Sequence, residues 1–448
     1  MTNISSQKIS VIGDWHLAFV TASVLADVGH KVCLTKPLNL NATEWSKFPD
    51  IPVMEPGLNE MIAKNTSASR LTYQNGVQKN LEADYIWLAV DTPVSENDEP
   101  QLEPLLVIAD QIGSLTKKPK ALIVSSQIPM GFCTELEKRT GLPVAYIPEN
   151  LRLGKGIETF YQADRTVIGC NNDSVAEDIK NLMINFKTEF LLCNAITSEM
   201  VKHANNAFLA MSISFANELA RLGEKFNVDS VLVGKALKMD KRIGKAAYVI
   251  PGLGFAGGTL PRDLRVLQKF GHEQNIPMDI INSVLRVNEN TTKAISEIIQ
   301  SHIQKNSLPK NVLILGYTYK PDTDTLRRSL SLDLADELHQ KGIFVNGYDP
   351  IMNNKDLSAL KGKLHHCNDL SELPSVPSVI VLMTSRPNFL ELDWNSLAEQ
   401  FKKNKTSANQ VLVLDTQSFL NANQPLKAEF IFKSLWSPAK KLRGDHHA

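Results

Sequence analysis

The sequence predicts an α/β protein in which two doubly wound domains are joined by a central helical region. Three observations lead to this fold class. A strand-helix-strand pattern opens the chain, a second one begins after Pro309, and the stretch between them has helical periodicity alone. Strand-helix-strand units are typical of a parallel sheet covered by helices. A chain of 448 residues is also too long for one ordinary core.

The N-terminal unit begins with a short apolar strand and continues by alternating helices and strands. The strand over residues 8–12 is followed by Gly13, a helix over 16–28 and a strand over 31–35. Further apolar runs predict later strands of the same sheet at 85–90, 121–125, 144–147 and 166–168. We place this domain at residues 1–190.

The middle of the chain, residues 191–300, has helical periodicity only. From 198 to 226, apolar residues recur at helical spacing with no Pro or Gly before Gly223, which predicts one long helix. Further helices are predicted at 230–237, 264–274 and 279–298. The apolar face of the long helix suits either a dimer core or an internal packing helix, and periodicity does not choose between them.

A second doubly wound domain is predicted at residues 301–448, because the strand-helix-strand pattern returns after Pro309. A strand over 312–315 is followed by a helix over 331–341. Later strands are predicted at 344–348, 378–383 and 410–414.

The charge balance excludes a broad basic surface. Lys plus Arg number 48 and Asp plus Glu number 48, so neither nucleic acid nor an anionic membrane is expected as a partner. No apolar run reaches the length of a membrane span. The polar stretch from Met1 to Lys8 gives no sign of a signal peptide. Small anionic ligands must therefore be held by helix N-termini and single basic side chains.

Five cysteines are scattered along the chain, with no Cys-x-x-Cys pair and no spacing typical of metal ligands. An odd number of scattered cysteines favours reduced thiols, and hence a cytoplasmic protein, over a disulfide framework. No metal site is expected from this pattern. The cysteines are Cys33, Cys133, Cys170, Cys193 and Cys367.

The turn after the first strand has part of a dinucleotide-binding pattern. The full pattern is Gly-x-Gly-x-x-Gly, whose glycines allow a tight turn, the approach of a pyrophosphate and the packing of helix on strand. Here Gly13 stands first, Trp15 replaces the second Gly and Ala18 replaces the third. The Trp15 side chain either occupies the space of the diphosphate or turns outward and stacks on a ligand ring.

Lys36 follows the second predicted strand, where dinucleotide sites usually offer a carboxylate to the adenosine ribose. Lys cannot accept the hydrogen bonds of the ribose hydroxyls. It can pair with a 2′-phosphate, which favours NADP over NAD. The alternative is that Lys36 is a solvated loop cation.

Several longer strings occur in one order between Lys8 and Leu420. They are Glu-Pro-Gly-Leu at 55–58, Val-Asp-Thr-Pro-Val at 90–94, Pro-Glu-Asn-Leu-Arg at 148–152, Asp-Arg-Thr-Val-Ile-Gly at 164–169, Glu-Met-Val-Lys-His-Ala-Asn-Asn-Ala-Phe at 199–208, Arg-Ile-Gly at 242–244, Pro-Gly-Leu-Gly-Phe-Ala-Gly-Gly at 251–258 and Gly-Tyr-Thr-Tyr-Lys-Pro-Asp-Thr-Asp at 316–324. In this joint order they resemble the UDP-glucose/GDP-mannose dehydrogenase family, the nucleotide-sugar dehydrogenases.

The resemblance implies a fold, a cofactor and partners. It implies an N-terminal Rossmann domain that binds NAD, with NADP as an alternative, and a C-terminal Rossmann-like domain that binds a nucleotide sugar such as UDP-glucose. The central region is implied to form a homodimer, with the long helix as its core. The implied reaction, in cytoplasmic polysaccharide biosynthesis, oxidises the C6 alcohol of the sugar to a carboxylate in two hydride transfers.

The resemblance also implies catalytic residues. Lys202 and Asn206 lie four residues apart, hence on one helix face, and suit the stabilisation of a developing alkoxide. Asp263 resembles the carboxylate that works with them through water, and Glu149 is a second retained carboxylate. The alternatives are a solvated Lys202, an Asn206 that bonds between helices, and an Asp263 that caps the helix expected from 264.

Thr259 stands where the resemblance places the catalytic cysteine. A thiol has a pKa of about 8.5 and is readily activated, whereas a threonine hydroxyl needs a dedicated base. A thioester route is therefore not expected, and none of the five cysteines lies in a matching motif. Three further departures are Gln127 for a Thr, Leu153 for a second Glu and Gln417 for an Arg.

The resemblance implies two sets of binding residues. The nucleotide-sugar contacts include a glycine loop, in which backbone N–H groups can approach the ligand closely. The alternative for this loop is a flexible connector. The implied cofactor contacts are Gly13, Trp15, Lys36, Thr92 and Arg327, and the implied substrate contacts are Arg242, Tyr248, Gly254, Phe255 and Lys320.

Three functions are compatible with these residues. The first is an NAD(P)-dependent, UDP-glucose 6-dehydrogenase-like enzyme that works without a thioester, so that a second oxidation passes through the hydrated aldehyde. The second is a catalytically degenerate paralogue that binds nucleotide sugar and regulates or scaffolds polysaccharide synthesis. The third is an oxidoreductase that stops at the aldehyde.

Overall fold

The computed structural model describes residues 5–37, 51, 55–93, 95, 100–149, 151, 154–256, 259–321, 324, 326, 329–353, 355, 357–360, 362–403, 410–420 and 422–439. The chain forms two compact units, Met1–Asn205 and Asn206–Ala448. The boundary between the units falls within one long helix, Ala195–Lys225. The division into three domains at residues 190 and 300 stays a prediction.

The first unit is built on a sheet with a switch point between its first and fourth strands. The strands are β1 (Lys8–Ile12), β2 (Lys31–Lys36), β3 (Leu71–Asn75), β4 (Tyr85–Leu88), β5 (Ala121–Val124), β6 (Val144–Tyr146), β7 (Arg165–Cys170) and β8 (Glu189–Cys193). Their order is β3-β2-β1-β4-β5-β6-β7-β8, with all neighbours parallel except β6 and β7. Ligands of such sheets bind outside the carboxyl ends of the strands at the switch point.

The helices of the first unit accompany this sheet. They are α1 (His16–Asp27), α2 (Leu58–Ser67), α3 (Glu103–Gly113), α4 (Phe132–Thr140), α5 (Gly156–Tyr161) and α6 (Asp173–Leu182). Helix α1 is buried along most of its length, because small and apolar residues follow one another from Ala18 to Ala26. This burial fixes the N-terminus of α1 at the carboxyl end of β1.

The helical part of the chain contains α7 (Ala195–Lys225), α8 (Ser230–Met239), α9 (Leu260–Glu273) and α10 (Asp279–Lys305). The predicted long helix is confirmed as α7. Helix α9 begins earlier than expected, with Thr259 as its N-cap and Pro261 in its first turn, where a missing N–H does no harm. Asp263 therefore lies inside α9, and the alternative that it caps this helix is wrong.

The second unit carries a six-stranded sheet. Its strands are β9 (Asn311–Leu315), β10 (Phe344–Tyr348), β11 (His365–His366), β12 (Val379–Leu382), β13 (Leu412–Asp415) and β14 (Ile431–Ser434). Their order is β11-β10-β9-β12-β13-β14 and all neighbours are parallel. Helices α11 (Leu330–Gln340), α12 (Trp394–Lys403) and α13 (Asn423–Lys427) belong to the same unit, with short 3₁₀ helices at Pro350–Met352, Ser358–Leu360, Leu370–Glu372 and Pro387–Glu391.

The predicted fold class is confirmed, with two parallel-strand α/β units and a helical stretch between them in the chain. The predicted strands were recognisable because their residues are buried on both faces, as β4 and β9 are over their whole length. Sequence reasoning missed β3, β8, β11 and β14. Strands β3 and β8 are partly exposed sheet edges, and Lys433 interrupts the apolar run of β14.

Candidate functional site

The turn between β1 and α1 is shaped so that a ligand can approach its backbone closely. A Cβ atom on Gly13 would lie 2.5 Å from the carbonyl oxygen of Ala89 and 2.6 Å from the Ala18 Cβ, so only Gly fits. The N-cap of α1, Trp15, makes no side-chain capping hydrogen bond. The first N–H groups of a helix lack intrahelical partners and attract anions. This turn can therefore receive a pyrophosphate.

A buried hydrogen bond between His16 and Glu55 lies directly behind this turn. The His16 Nε2 and the Glu55 Oε2 are 2.7 Å apart, and both side chains are buried. Glu55 also accepts hydrogen bonds from the N–H groups of Gly154 (2.9 Å) and Gly156 (2.8 Å). Glu55 thus holds the loop before α5 against the first residue of α1. Sequence reasoning quoted Glu55 as part of a motif but did not foresee this contact.

The predicted cofactor residues fit a dinucleotide to different degrees. Thr92 follows β4, and its buried hydroxyl has no hydrogen-bond partner among the described residues, so it is available to a ligand. Lys36 is the last residue of β2 and is half-buried, so it belongs to a strand and not to a loop. Trp15 keeps 45% of its surface exposed. Arg327 lies outside the described residues, as does Leu153.

These observations fit NAD at the carboxyl end of the first sheet. The uncapped N-terminus of α1 and Gly13 would hold its pyrophosphate, and the Thr92 hydroxyl would donate to or accept from it. NAD supplies a hydride acceptor there.

Lys202 on α7 is buried beside Glu149. Its ammonium donates a hydrogen bond to the backbone carbonyl of Glu149 and lies 3.6 Å from the carboxylate of the same residue. Only 6% of Lys202 is exposed, so it is not a solvated helix cation. One turn earlier, the buried Glu199 accepts from the N–H groups of Gly131 (2.5 Å) and Cys133 (2.9 Å), which fixes this part of α7 against α4.

Asn206 follows one turn later on α7 and belongs to the second unit. Its amide donates a hydrogen bond to the carboxylate of Asp263, and both residues are buried. The spacing of four residues along α7 places Asn206 and Lys202 on the same face of the helix. Each unit thus contributes one polar side chain of α7 paired with a carboxylate, and a cation or an amide donor of this kind is suited to stabilising an alkoxide.

Thr259 is exposed at the N-cap of α9 and makes no capping hydrogen bond. None of the five cysteines has an activated thiol that could take the place of the cysteine which the resemblance places at position 259. All five cysteines are free, and burial raises the pKa of each one above its ordinary value. A thiol with a raised pKa is a poor source of thiolate at neutral pH.

A cleft of about 760 Å³ lies in the second unit, next to the carboxyl ends of β9, β12 and β13. Its wall includes three predicted substrate residues, Tyr248, Gly254 and Lys320. Gly254 has φ +96°, and a Cβ atom there would lie 2.4 Å from the Asn288 side-chain oxygen, so Gly is required. Asn288 bonds both the N–H and the carbonyl of Phe255 (2.8 Å each). The described part of the glycine loop is therefore fixed and is not a flexible connector.

Two other predicted substrate residues are placed elsewhere. The side chain of Phe255 is 5% exposed and packs in an apolar cluster with Leu264. Arg242 is exposed and pairs with Asp240 at 2.6 Å, and it does not line the cleft. Gln417 lines the cleft where an Arg was expected, and its amide donates to the carbonyl of Met383 (2.9 Å).

The turn after β9 is held by a buried ion pair that sequence reasoning missed. Asp349, directly after β10, accepts from the N–H groups of Tyr317 (3.0 Å) and Thr318 (3.3 Å). The guanidinium of Arg386 lies 2.6 Å from its other carboxylate oxygen, and both side chains are buried. The pair thus supports Lys320 and the floor of the cleft.

No group of three or more His, Cys, Asp or Glu suited to a metal ion occurs among the described residues. Within the same part of the chain, no helix is both long and apolar enough to span a membrane.

Sequence comparison identifies three successive segments of one family. Residues 7–187 match the NAD binding domain of the UDP-glucose/GDP-mannose dehydrogenase family, residues 196–290 its central domain and residues 313–422 its UDP binding domain. UDP-glucose 6-dehydrogenase TuaD of Bacillus subtilis is 28% identical over 442 residues, which cover 97% of this chain and 94% of TuaD. A UDP-glucose 6-dehydrogenase of Rhizobium meliloti is 28% identical over 447 residues, which cover 96% of this chain and 100% of that protein.

A solved structure resembles the whole chain. It is a UDP-glucose dehydrogenase from the archaeon Pyrobaculum islandicum, with 26% identity, a TM-score of 0.79 and coverage of 98% of this chain and 99% of that protein.

Proposed function

This chain belongs to the UDP-glucose/GDP-mannose dehydrogenase family, and we propose that it oxidises the C6 alcohol of UDP-glucose or a close relative without a cysteine thioester. It is an NAD-dependent oxidoreductase that acts on a CH–OH group of a nucleotide sugar. The observation that carries the proposal is the pair of buried contacts one turn apart on α7, Lys202 with Glu149 and Asn206 with Asp263.

In the first oxidation, the C6 hydroxyl loses its proton while a hydride leaves C6 for NAD. Asp263 takes the proton through a water molecule, and the Lys202 ammonium and the Asn206 amide stabilise the negative charge on oxygen. The products are an aldehyde, NADH and one proton.

The second oxidation starts from the hydrated aldehyde. Water adds to the aldehyde carbon to give a geminal diol, and Glu149 would remove a proton from one hydroxyl as a second hydride leaves that carbon. The acceptor of this hydride would be a second NAD, bound after the first NADH has left. The products are a carboxylic acid and a second NADH, and no bond to the protein forms. Thr259 is exposed and has no neighbouring base in a hydrogen bond among the described residues, which supports this non-covalent route.

The test is turnover with a panel of UDP- and GDP-hexoses and NAD, followed as NADH absorbance. UDP-glucose is expected to react, and Lys202→Met is expected to lower kcat by about 10²–10⁴-fold. Lys225→Met, an exposed lysine in the last turn of the same helix, is the matched control and is expected to keep full activity. The proposal fails if no sugar of the panel yields NADH at any pH.

A catalytically degenerate paralogue is the second candidate function. Exposed Trp15 at the pyrophosphate turn, Lys36 at the ribose position and Thr259 favour it. Such a protein would bind UDP-sugars and would not bind NAD, which calorimetry with each ligand decides.

An oxidoreductase that stops at the aldehyde is the third. Mass analysis of the product separates it from the first, since a uronic acid contains one more oxygen atom than the aldehyde.

We further propose a homodimer built on α7 and α8. Large apolar side chains are exposed along these helices and are suited to a second copy of the chain: Phe208, Phe215, Leu222, Leu232 and Met239. Sedimentation is expected to give a dimer, and Phe215→Asp a monomer. The free cysteines support a reducing compartment such as the cytoplasm. The three-part division at residues 190 and 300 belongs to the same proposal.

A further inference from the structure

The cleft of the second unit carries two lysines that no motif of the sequence singled out. Lys235 and Lys238 on α8 both line it, together with Lys320 from the segment after β9. Their spacing of three residues places Lys235 and Lys238 on one face of the helix. This face is turned toward the cleft, whereas the neighbouring Lys241 and Lys245 do not line it.

The cleft is positively charged. Its described lining contains three lysines and no Asp or Glu. Lys235 and Lys238 have no ion pair with any described carboxylate, in contrast to Lys433 of the same unit, which pairs with Glu224 at 3.1 Å. Neighbouring cations repel one another, so an uncompensated group of them is stabilised by an anionic ligand.

Helix α8 is held at its N-terminus and near its middle. Asp229 caps its N-terminus by accepting from the Leu232 N–H (3.1 Å), and the Ser230 N–H donates to the carbonyl of Trp436 (3.0 Å). Gly234 lets the helix approach the chain at Val249, because a Cβ atom on Gly234 would lie 2.4 Å from the Val249 carbonyl oxygen. The backbone that carries the two lysines is thus fixed beside the cleft.

The opposite wall lacks a cation of its own. Gln417 is neutral, and its amide is already bonded to the Met383 carbonyl at 2.9 Å. Ser418 and Thr416 next to it are polar and uncharged. An anionic group in the cleft therefore finds its charge partners on α8 and at Lys320, and not after β13.

We propose that Lys235 and Lys238 bind the diphosphate of the nucleotide sugar and take over the charge that Gln417 does not provide. The inference rests on the proposed function only in naming a nucleoside diphosphate as the ligand. Two ammonium groups on one helix face suit the two phosphates of such a ligand, because each can donate to a separate phosphate.

The test is calorimetry of UDP and uridine binding without NAD, so that no turnover is needed. The double variant Lys235→Met/Lys238→Met is expected to bind UDP about 10- to 100-fold more weakly, with uridine affinity unchanged. Lys241→Met/Lys245→Met is the matched control and is expected to bind both ligands as the unaltered protein does. Lys235→Arg/Lys238→Arg is expected to restore most of the UDP affinity. Added salt should weaken UDP binding to the unaltered protein more than to the Met variant.

Two results would overturn the assignment. One is a UDP affinity of the Met double variant within twofold of the unaltered protein, and the other is an equal loss for UDP and uridine, which indicates a disturbed cleft. The failure of the proposed function looks different: UDP binds with the expected lysine dependence, but no sugar yields NADH.

Discussion

The two sheets of this protein share the order of their first six strands and differ in the residue at the end of the second strand. In the first unit, β2 ends at Lys36. In the second, β10 is followed by Asp349, a buried carboxylate that accepts from two amides of the adjacent turn and pairs with Arg386. An acid at this position is therefore no sign of a ribose site when its oxygens are already bonded within the protein. The sheet topology determines at which edge a ligand can bind, and the side chains at that edge determine which ligand binds there.

Each unit stabilises its ligand turn with a buried pair of polar side chains, but by different routes. The first unit uses Glu55, from outside the sheet, against His16 and the loop before α5. The second uses Asp349, at the end of a sheet strand, against Arg386. Breaking either pair should weaken the binding of one ligand and leave the binding of the other unchanged.

The largest effect is expected for Asp349→Ala. It leaves the Arg386 guanidinium buried without its partner, which costs about 3–5 kcal/mol of unfolding free energy. Urea unfolding measures this loss, and UDP binding should weaken while NAD binding persists. Asp240→Ala, which breaks the exposed pair with Arg242, is the control and should leave stability unchanged. Equal behaviour of the two variants would contradict the role given to Asp349.

Glu55→Ala should reverse this pattern with a somewhat smaller loss. It removes the acceptor of two amides and of His16, and each such hydrogen bond to a charged group is worth about 1.5–3 kcal/mol, but unlike Asp349→Ala it leaves no buried guanidinium without its partner. NAD binding should weaken and UDP binding should persist, as measured by calorimetry. Glu82→Ala, at an exposed pair with Lys8, is the control for both measurements. A parallel loss of both ligands would show that the effect is not confined to the first unit.

Lys36→Asp should have a modest effect on NAD affinity, and it tests whether the residue at the end of β2 contacts the ligand as the acid after β10 does not. A carboxylate at the end of β2 can accept hydrogen bonds from the adenosine ribose, which Lys cannot. NAD affinity is expected to rise about three- to tenfold and the ratio of NADP to NAD affinity to fall. Lys31→Asp at the start of the same strand is the control. An unchanged ratio would mean that Lys36 does not face the ribose.

The smallest effects should be opposite pH dependences of the two units. Burial lowers the pKa of His30 in the first unit. Below about pH 6.5 the unfolded chain therefore binds a proton at His30 that the folded chain does not bind. The free energy of unfolding decreases as the pH is lowered through this range. Burial raises the pKa of Asp415 in the second unit. The contribution of the protonated carboxyl group to the free energy of unfolding is therefore complete below about pH 3.8, and it is lost as the pH rises through the folded-state pKa. His30→Gln and Asp415→Asn should each remove one of these two dependences from a plot of unfolding free energy against pH. Two dependences of the same sign would refute this assignment.

Much of the fold could be predicted from sequence because buried parallel strands are apolar throughout. The spacing of Lys202 and Asn206 likewise follows from helix geometry, and the threonine at position 259, where the resemblance places a cysteine, can be read directly from the sequence. Pairs between distant residues could not be predicted. His16 and Glu55 are separated by 39 positions and Asp349 and Arg386 by 37, and no local pattern connects them.

The charged cleft shows the same limit. The spacing of Lys235 and Lys238 predicts one helix face and does not say which neighbour that face meets. The approach of α8 at Gly234 decides that the lysines line the cleft, and this packing is a tertiary property. Edge strands such as β3 were missed for a related reason, because partial exposure removes the apolar signal.

The central claim is oxidation without a covalent intermediate, and intact-protein mass measured during turnover tests it most directly. With UDP-glucose and NAD, quenched samples should show NADH in solution, no mass increase on the protein and no burst of NADH. Thr259→Ala should behave in the same way. A sugar adduct on the unaltered protein that disappears in Thr259→Ala, or in a variant of any of the five cysteines, would contradict the account.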